Sequence, residues 1–364
     1  MSPLEVFVLK KIVLTGGGTA GHVTPNIALI PELKKRGWEI HYIGTQTGIE
    51  QKLISEIPGV TYHSVQSGKL RRYLDVKNLT DPFKVIAGIG QSIGLIRELK
   101  PQIIFSKGGF VSVPVVLGGW LNRIPILVHE SDITPGLANK IATRFAKTVC
   151  TTFPETVKFF QEGKAIHTGT PIRRELFQGD PQRGRNLCGF TGEKPVILVM
   201  GGSSGAVAIN KAVRALLSKL TRRFQVVHIC GKGNFDSILD SHPDYKQFEY
   251  VSEELPDIMA MTELVVSRAG ANSIYEFLAL KKPALLIPLP LSASRGDQIL
   301  NAQSFERQGF SKVLEQEEMT EDTLYDHIMD LYYNREKYIR AMTENNLGNS
   351  IDKIMEQIDS LAKK

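Results

Sequence analysis

A repeated alternation of short apolar runs with amphipathic segments most limits the possible folds of this 364-residue chain. Five runs in the first half are rich in β-branched and aliphatic residues: KIVLT (11–15), EIHYI (39–43), QIIFS (102–106), PILVH (125–129) and KTVCT (147–151). The alternation then restarts with four further runs: PVILVMGG (195–202), FQVVHICG (224–231), ELVVSRAG (263–270) and PALLIPL (283–289). Strands that alternate with helices form parallel sheets covered on both faces. The sequence therefore predicts an α/β protein with two Rossmann-like sheets.

The segment between the two series, GTPIRRELFQGDPQRGRN (169–186), is rich in Gly, Pro and Arg and has little periodicity. Such composition is typical of a linker. We predict one Rossmann-like domain over 10–170 and a second over 171–347, with a last helix at 348–364 that packs back on the first domain. Because ligands bind at the carboxyl ends of parallel strands, the two sheets are expected to face each other across a cleft.

Charge is distributed unevenly along the chain. Residues 1–170 contain 20 Lys and Arg against 12 Asp and Glu, whereas residues 171–364 contain 24 against 26. The basic half predicts an anionic partner, either nucleic acid, an acidic lipid surface or a phosphorylated substrate. The longest apolar stretch, 110–121, is too short to span a bilayer, and the first residues lack a secretory signal. The protein is therefore expected in the cytoplasm.

A glycine turn, GGGTAGH (16–22), follows the first predicted strand and precedes a helix. It matches the dinucleotide fingerprint G-x-G-x-x-G, which also expects an acid at the end of the second strand. That strand ends in Ile43-Gly44-Thr45, which weakens the alternative of an NAD-dependent enzyme. Glycine N–H groups and a helix start favour an anion in any case. His22, beside this turn, is a candidate general base, the alternative being a structural role.

A second glycine turn, SKGGF (106–110), follows the strand QIIFS. Two anion-binding turns at neighbouring strand ends can hold one diphosphate, and Lys107 would add a positive charge. The alternative is a glycine pair that serves only chain reversal. His129, Glu130 and Asp132 lie at the end of the strand PILVH, where the hydroxyls of a substrate can be bound. No metal-ligand spacing is present there.

The second half repeats the arrangement of strand, turn and helix at three strand ends: GGSSGA (201–206), SRAGANS (267–273) and SRGDQ (294–298). The amides of the first segment suit a diphosphate, Glu276 suits a ribose, and Asp297 and Gln298 suit sugar hydroxyls. Together they predict a nucleotide-sugar site. The chain contains no Walker A sequence and no Asp-x-Asp pair, so we expect amides and helix dipoles rather than a metal to stabilise the leaving diphosphate.

The segment 70–90 combines apolar and basic residues on a predicted helix, with Asp81 and Pro82 as its N-cap and first position. Its candidate membrane residues are Leu79, Phe83 and Ile86 near one face, with Lys69, Arg71 and Arg72 among the surrounding cations. One interpretation is a core-facing helix with a solvated basic rim. The other is a shallow contact with an anionic membrane.

Eight motifs, in order, resemble those of the bacterial UDP-N-acetylglucosamine:lipid-linked muramyl-pentapeptide N-acetylglucosaminyltransferase (MurG) family: GGGTAGHVTPNIAL, SGKLRRY, SKGGFVSVP, HESDITPGLANK, GTPIR, GGSSGA, SRAGANSIYE and SRGDQILNA. The resemblance covers nearly the whole chain from Lys11. It implies a GT-B fold and transfer of N-acetylglucosamine (GlcNAc) from UDP-GlcNAc to the 4-hydroxyl of the muramyl sugar of lipid I. The product is lipid II of peptidoglycan, formed with inversion at the anomeric carbon.

The resemblance also implies a location and a set of partners. The enzyme would lie peripherally on the cytoplasmic face of the cell membrane, with UDP-GlcNAc as substrate, no cofactor and no nucleic acid. A GT-B enzyme that glycosylates another membrane lipid, such as diacylglycerol, is the alternative. It would use the same donor site and the same membrane contact, but would leave the second glycine turn without a diphosphate.

Site roles follow from the resemblance by position. The acceptor diphosphate would lie against two turns, comprising Gly17, Gly18, Thr19, Gly21, Lys107, Gly108 and Gly109. His22 would assist deprotonation of the acceptor hydroxyl, and Glu130 and Asp132 would face the acceptor sugar. The donor residues would be Arg173 and Ser203 at the phosphates, Val251 at uracil, Glu276 at ribose, and Ala271 and Gln298 at GlcNAc.

Overall fold

The computed structural model describes residues 10–68, 77–202, 205–345 and 349–362, apart from the side chains of residues 77–81. The chain forms two compact units. The first runs to Arg173 and includes the chain again from Leu347, and the second is Arg174–Asn346. Each unit contains one β-sheet in which all described pairings are parallel.

The first sheet has seven strands in the order β3-β2-β1-β4-β5-β6-β7. They are β1 (Lys10–Thr15), β2 (Trp38–Gly44), β3 (Val60–Ser64), β4 (Ile103–Ser106), β5 (Ile126–Glu130), β6 (Thr148–Thr151) and β7 (Ala165–His167). The helices between them are α1 (Thr24–Lys35), α2 (Ile49–Ser55), α3 (Lys77–Leu99), α4 (Ser112–Leu121) and α5 (Leu137–Phe145), with 3-10 turns at Ala20–His22 and Pro154–Phe159. The strand order reverses between β1 and β4, so the carboxyl ends of these two strands flank the crevice in which such sheets bind ligands.

The second sheet has six strands in the order β10-β9-β8-β11-β12-β13. They are β8 (Val196–Met200), β9 (Gln225–Ile229), β10 (Tyr245–Phe248), β11 (Thr262–Ser267), β12 (Ala284–Leu286) and β13 (Ser311–Val313). Its helices are α6 (Pro181–Cys188), α7 (Val207–Ala215), α8 (Leu217–Leu220), α9 (Leu255–Met261), α10 (Ala271–Ala279), α11 (Asp297–Arg307), α12 (Glu321–Tyr333) and α13 (Arg335–Glu344), with 3-10 turns at Arg174–Phe177 and Gln316–Glu318. Here the order reverses between β8 and β11.

Both faces of the first sheet are buried under helices, and alternate residues of each strand point to opposite faces. On one side Ile12 and Leu14 of β1 pack with Leu29 of α1. On the other side Val13 packs with Val115 and Val116 of α4. A sheet covered on both faces requires nearly continuous apolar strands, which explains the sequence runs.

The last helix of the chain, α14 (Ser350–Leu361), packs within the first unit. Its buried residues Ile354 and Ile358 join the same apolar cluster as Leu29. At the rim, the Arg36 guanidinium lies 2.6 Å from the Asp359 carboxylate. The helix thus closes one face of the first sheet after the chain has formed the second unit.

The predicted α/β class with two Rossmann-like parallel sheets is confirmed by this topology. The predicted start of the basic helix is wrong, since α3 begins at Lys77, four residues before Asp81. Pro82 lies in the second turn of α3. Because proline has no backbone N–H, the helical hydrogen bond to the carbonyl of Asn78 is missing. Among the described helices, none has the length and hydropathy of a membrane span.

Candidate active site

The two glycine turns of the first unit are interlocked at the carboxyl ends of β1 and β4. The Gly17 N–H donates to the Gly108 carbonyl at 3.4 Å. A Cβ on Gly109 would lie 2.2 Å from the Gly17 carbonyl oxygen, and one on Gly18 would lie 2.4 Å from the Phe110 ring. Gly18, Gly108 and Gly109 also have φ near +84°, +95° and +79°, which side chains disfavour. The structure therefore brings the predicted diphosphate turns together.

His22 ends the 3-10 turn that follows the first glycine turn. Its Nδ1 lies 3.0 Å from Thr19 Oγ1, and a Cβ on Gly109 would lie 3.2 Å from that same nitrogen. The imidazole thus sits over the second glycine turn. When Nδ1–H donates to the Thr19 hydroxyl, Nε2 carries the lone pair and can accept a proton.

Lys107 and His129 form a buried pair beneath these turns. Lys107 Nζ donates to His129 Nδ1 at 2.9 Å and also to the Ser131 hydroxyl. His129 Nε2–H donates to the Gly169 carbonyl at 2.8 Å. Burial lowers the pKa of Lys107 to about 8, and burial together with Lys107 lowers the pKa of His129 well below its ordinary value. The imidazole is therefore neutral, and the Lys107 ammonium is directed to the end of β5.

Glu130 supports the loop that follows β5. Its two oxygens accept from the Asp132 N–H at 3.0 Å, the Gly136 N–H at 3.2 Å and Asn139 Nδ2 at 2.8 Å. Burial and the neighbouring Asp132 raise the pKa of Glu130. Asp132 is the more exposed of the two carboxylates. Of the two predicted acceptor-sugar residues, Asp132 is better placed to meet a ligand, and Glu130 shapes its loop.

The predicted donor residues of the second unit follow its strands β10, β11 and β12. Ala271 and Glu276 lie on α10, which follows β11, and both are largely buried. Gln298 lies in the first turn of α11, and its Oε1 accepts from the Leu289 N–H at 3.1 Å after β12. Val251 lies three residues after β10. Because β8, β11 and β12 are adjacent, α10, α11 and the turn after β8 start from neighbouring strand ends of one sheet.

The remaining predicted donor residues are Ser203 and Arg173. Ser203 is outside the described residues. Arg173 is half-buried and is the last residue of the first unit rather than part of the second.

Arg268 is a buried residue of the second unit for which the sequence predicted no role. Its guanidinium donates to the carbonyls of Ile287 and Pro288 at 3.0 Å each and to Gln316 Oε1 at 2.6 Å. The loop after β11 is thereby tied to the end of β12. The signal in the sequence was an Arg directly after a buried strand, a position where a charged side chain needs fixed partners.

The candidate membrane helix exposes apolar side chains. Phe83 is 73% exposed and Ile86 is 66% exposed on α3. Because they are three residues apart, they lie on one face of the helix. Lys69, Arg71, Arg72 and the side chain of Leu79 are outside the described residues.

Comparison with known proteins identifies the family. The N-terminal domain model of glycosyltransferase family 28 matches residues 12–151, and its C-terminal domain model matches residues 196–358. A Clostridium tetani protein named UDP-N-acetylglucosamine--N-acetylmuramyl-(pentapeptide) pyrophosphoryl-undecaprenol N-acetylglucosamine transferase is 55% identical, over 96% of this chain and 98% of its own length. Proteins of the same name from Lachnospira eligens and Geobacillus thermodenitrificans are 57% and 55% identical over 98% and 97% of this chain, and 100% and 99% of their own lengths.

Solved structures support the same architecture. A crystal structure of Acinetobacter baumannii MurG superposes with a TM-score of 0.74 at 24% identity, over 96% of this chain and 99% of that chain. A UDP-N-acetylglucosamine 2-epimerase superposes with a TM-score of 0.68 at 14% identity, over 96% and 95%. At these identities the likeness shows the fold, whereas the curated relatives show the family. The chain belongs to the family of UDP-N-acetylglucosamine--N-acetylmuramyl-(pentapeptide) pyrophosphoryl-undecaprenol N-acetylglucosamine transferases.

Proposed function

We propose that this protein transfers GlcNAc from UDP-GlcNAc to the muramyl sugar of N-acetylmuramyl-(pentapeptide) pyrophosphoryl-undecaprenol, lipid I. The product is lipid II, an intermediate of peptidoglycan synthesis. The observation that carries this function is the near full-length identity of 55–57% to transferases of that name. This family membership favours lipid I over another membrane lipid as acceptor, and a glycosyltransferase over an NAD-dependent enzyme.

The second unit binds UDP-GlcNAc in this proposal. The GlcNAc moiety meets Ala271 and Gln298, uracil meets the backbone of Val251, and the two oxygens of Glu276 accept from the ribose hydroxyls. Arg173 and Ser203 meet the phosphates. This assignment is supported by α10 and α11 starting from adjacent strand ends.

The first unit binds the acceptor at its two glycine turns. His22 Nε2 takes the proton of the 4-hydroxyl while that oxygen attacks the anomeric carbon of GlcNAc. The new glycosidic bond forms opposite the breaking bond to UDP, so the configuration inverts. The position of His22 Nδ1 beside Gly109 supports this role, because it places the imidazole at the second glycine turn, where the acceptor diphosphate binds in this proposal.

The departing UDP carries the negative charge that develops in the transition state. Turn amides after β8 and the N-terminus of α7 stabilise that charge in this proposal. Gly202 and Gly205 have φ of +83° and +74°, which fits a turn that directs amides toward one ligand. The described residues contain no group of three or more His, Cys, Asp and Glu side chains arranged for a metal ion.

The enzyme works from the cytoplasmic face of the membrane as a peripheral protein in this proposal. Its acceptor carries an undecaprenyl chain, so the active site must approach a bilayer. The exposed Phe83 and Ile86 of α3, in the basic half of the chain, support contact with an anionic lipid surface.

The test is transfer of radiolabelled GlcNAc from UDP-GlcNAc to a soluble short-chain analogue of lipid I, with and without EDTA. Wild type is compared with Glu276→Ala, which removes the carboxylate that accepts hydrogen bonds from the ribose hydroxyls. Transfer that persists in EDTA and is largely lost in the variant is the expected result. Transfer to a diacylglycerol but not to the lipid I analogue would contradict the acceptor assignment, and inhibition by EDTA would contradict the metal-free mechanism.

A further inference from the structure

We propose that the buried carboxylate of Glu50 binds the first glycine turn from inside the protein, in the manner of a bound anion. This contact holds the turn in the conformation that positions His22. This role makes Glu50 a positioning residue of the acceptor site. The proposal rests on the proposed function for its kinetic test, but not for its structural test.

The carboxylate of Glu50 is fully buried and is held by donors from two loops. Its Oε2 accepts from the Gly18 N–H at 3.2 Å. Its Oε1 accepts from the N–H and the hydroxyl of Thr45, at 3.1 and 2.5 Å. No described Lys or Arg side chain forms an ion pair with it. A buried carboxylate supported only by hydrogen bonds needs all of them, because each lost bond adds to its desolvation cost.

Three glycines from separate segments leave the space that this carboxyl group fills. A Cβ on Gly17 would lie 2.6 Å from Glu50 Cδ, one on Gly44 would lie 2.8 Å from Glu50 Cγ, and one on Gly48 would lie 2.0 Å from Glu50 Oε1. These glycines lie in the first turn, at the end of β2 and at the start of α2. The backbone therefore forms a cavity fitted to one carboxyl group.

The position of this cavity has a chemical meaning. In a dinucleotide-binding Rossmann unit, the amides of this turn face a pyrophosphate, and an acid at the end of the second strand binds the ribose. Here the carboxylate of Glu50 takes the Gly18 amide, and the Gly108 carbonyl takes the Gly17 amide. No phosphate, whether of a nucleotide or of the acceptor diphosphate, can therefore use these two amides, and the acceptor diphosphate must bind the remaining groups of the two turns. An anionic ligand must instead approach the turn from its His22 end.

The same contacts connect Glu50 to the candidate base. The bond from the Gly18 N–H fixes the backbone immediately before Thr19, and the Thr19 hydroxyl lies 3.0 Å from His22 Nδ1. Loss of the bond to Gly18 would release the segment that carries both residues. The effect of Glu50 on catalysis thus passes through the turn, without contact with a substrate.

The substitution Glu50→Gln removes the hydrogen bond from Gly18 and keeps the hydrogen bonds from Thr45. The amide oxygen of Gln keeps both Thr45 donors, while its NH₂ group faces the Gly18 N–H, so that two donors meet. We expect backbone amide exchange over residues 16–22 to accelerate at least tenfold. We also expect kcat with the lipid I analogue to fall at least tenfold, with KM for UDP-GlcNAc changed less than twofold.

The matched control is Glu32→Gln, which neutralises another buried carboxylate of the same unit, on α1 and paired with Arg36. It is expected to leave both readouts unchanged. A Glu50→Gln protein with wild-type exchange over 16–22 and wild-type kcat would overturn the proposal. So would one that does not fold, because the proposal assigns this carboxylate to the turn and not to the stability of the unit.

Glu50→Ala gives an independent test by opening the cavity. Formate, a carboxylate that fits this space, is expected to restore slow exchange over 16–22 and to recover at least a tenth of the wild-type kcat. Formamide has a similar size but no charge, and is expected to restore neither. Equal rescue by both compounds would show that only volume matters and would overturn the proposal. If wild type transfers no GlcNAc, the proposed function fails, while the exchange experiment still decides the role of Glu50.

Discussion

At the residue scale, the carboxyl edge of the first sheet holds two buried charges that are stabilised in different ways. Glu50 is surrounded by amide and hydroxyl donors, whereas Lys107 lies among His129, Glu130 and Asp132. Hydrogen bonds from the backbone hold a charge in a fixed geometry, which suits a turn that must keep its shape. The attraction between Lys107 and two carboxylates instead depends on the protonation state of each group, so it should respond to pH.

Lys107→Met should change the pH dependence of stability. Burial lowers the folded pKa of Lys107 to about 8 from an ordinary value of 10.5, so between these values the unfolded chain binds more protons than the folded one. Stability from this group therefore rises as pH increases from about 8 to about 10.5. The unfolding free energy of wild type, measured relative to that of Lys107→Met, should therefore increase by ~1–3 kcal/mol over that range.

Urea denaturation at several pH values measures that difference. Lys140→Met, which removes an exposed lysine of the same unit, is the control and should show no such trend. Parallel stability curves for wild type and Lys107→Met between pH 8 and 10 would contradict a lowered pKa at this position.

His22→Asn should lower kcat by a factor of ~10²–10⁴, the range for loss of a general base. The KM for UDP-GlcNAc should stay unchanged because the donor binds on the second unit in our proposal. Thr19→Val removes only the partner of His22 Nδ1, and a smaller loss of roughly tenfold is expected, since the imidazole remains present but less well oriented. Steady-state kinetics with the lipid I analogue decide this. A His22→Asn enzyme with wild-type kcat would assign the base to another group.

At the element scale, sequence patterns predicted the central strands and missed the edges. The strands β1, β2, β4, β5 and β6 are almost entirely buried and appear in the sequence as apolar runs. The strands β3 and β7 lie at the edges of the first sheet and are only half-buried, so their residues VTYHS and AIH give no such run. The edge strands β10 and β13 were missed for the same reason. Burial on both faces made a strand predictable.

The same limit applied to the candidate site. The glycine turns directly follow apolar strands, so their place at the sheet edge was predictable from the sequence. Glu50 was not identified, because the fingerprint places the acid at the end of the second strand and this acid lies five residues beyond Thr45, on α2. Only the backbone geometry shows that the side chain returns to the turn.

The exposed face of α3 should bind anionic membranes. Replacing both Phe83 and Ile86 by Ser removes two apolar groups, each worth ~1.5–3 kcal/mol when fully buried, so partial insertion should still give at least a tenfold loss of vesicle affinity. Cosedimentation with vesicles of phosphatidylglycerol and phosphatidylcholine measures this. Ile238→Ser, at a side chain of the second unit that is 84% exposed, is the control. Unchanged vesicle binding by the α3 variant would contradict the membrane contact, and its activity on the soluble analogue should equal that of wild type.

At the scale of the whole molecule, two units of the same fold bind different substrates in our proposal. Both sheets reverse strand order beside a glycine turn, between β1 and β4 in the first unit and between β8 and β11 in the second. Two amides of the first turn are already bonded within the protein, to Glu50 and to Gly108. The fold alone therefore does not decide which unit binds a nucleotide. In our proposal, the side chains around each turn decide which substrate it binds.

UDP-GlcNAc should consequently protect the donor segments of the second unit and leave the first glycine turn unprotected. At a ligand concentration one hundred times Kd, a site that binds only the folded state gains ~2.7 kcal/mol, which slows amide exchange around it. Hydrogen–deuterium exchange should show protection in the segments after β8, β11 and β12, with residues 16–22 unchanged. Glu276→Ala should lose this protection at the same ligand concentration. Protection of residues 16–22 by UDP-GlcNAc would instead mean that the first turn binds the nucleotide despite Glu50, and the division of the two substrates between the units would be reversed.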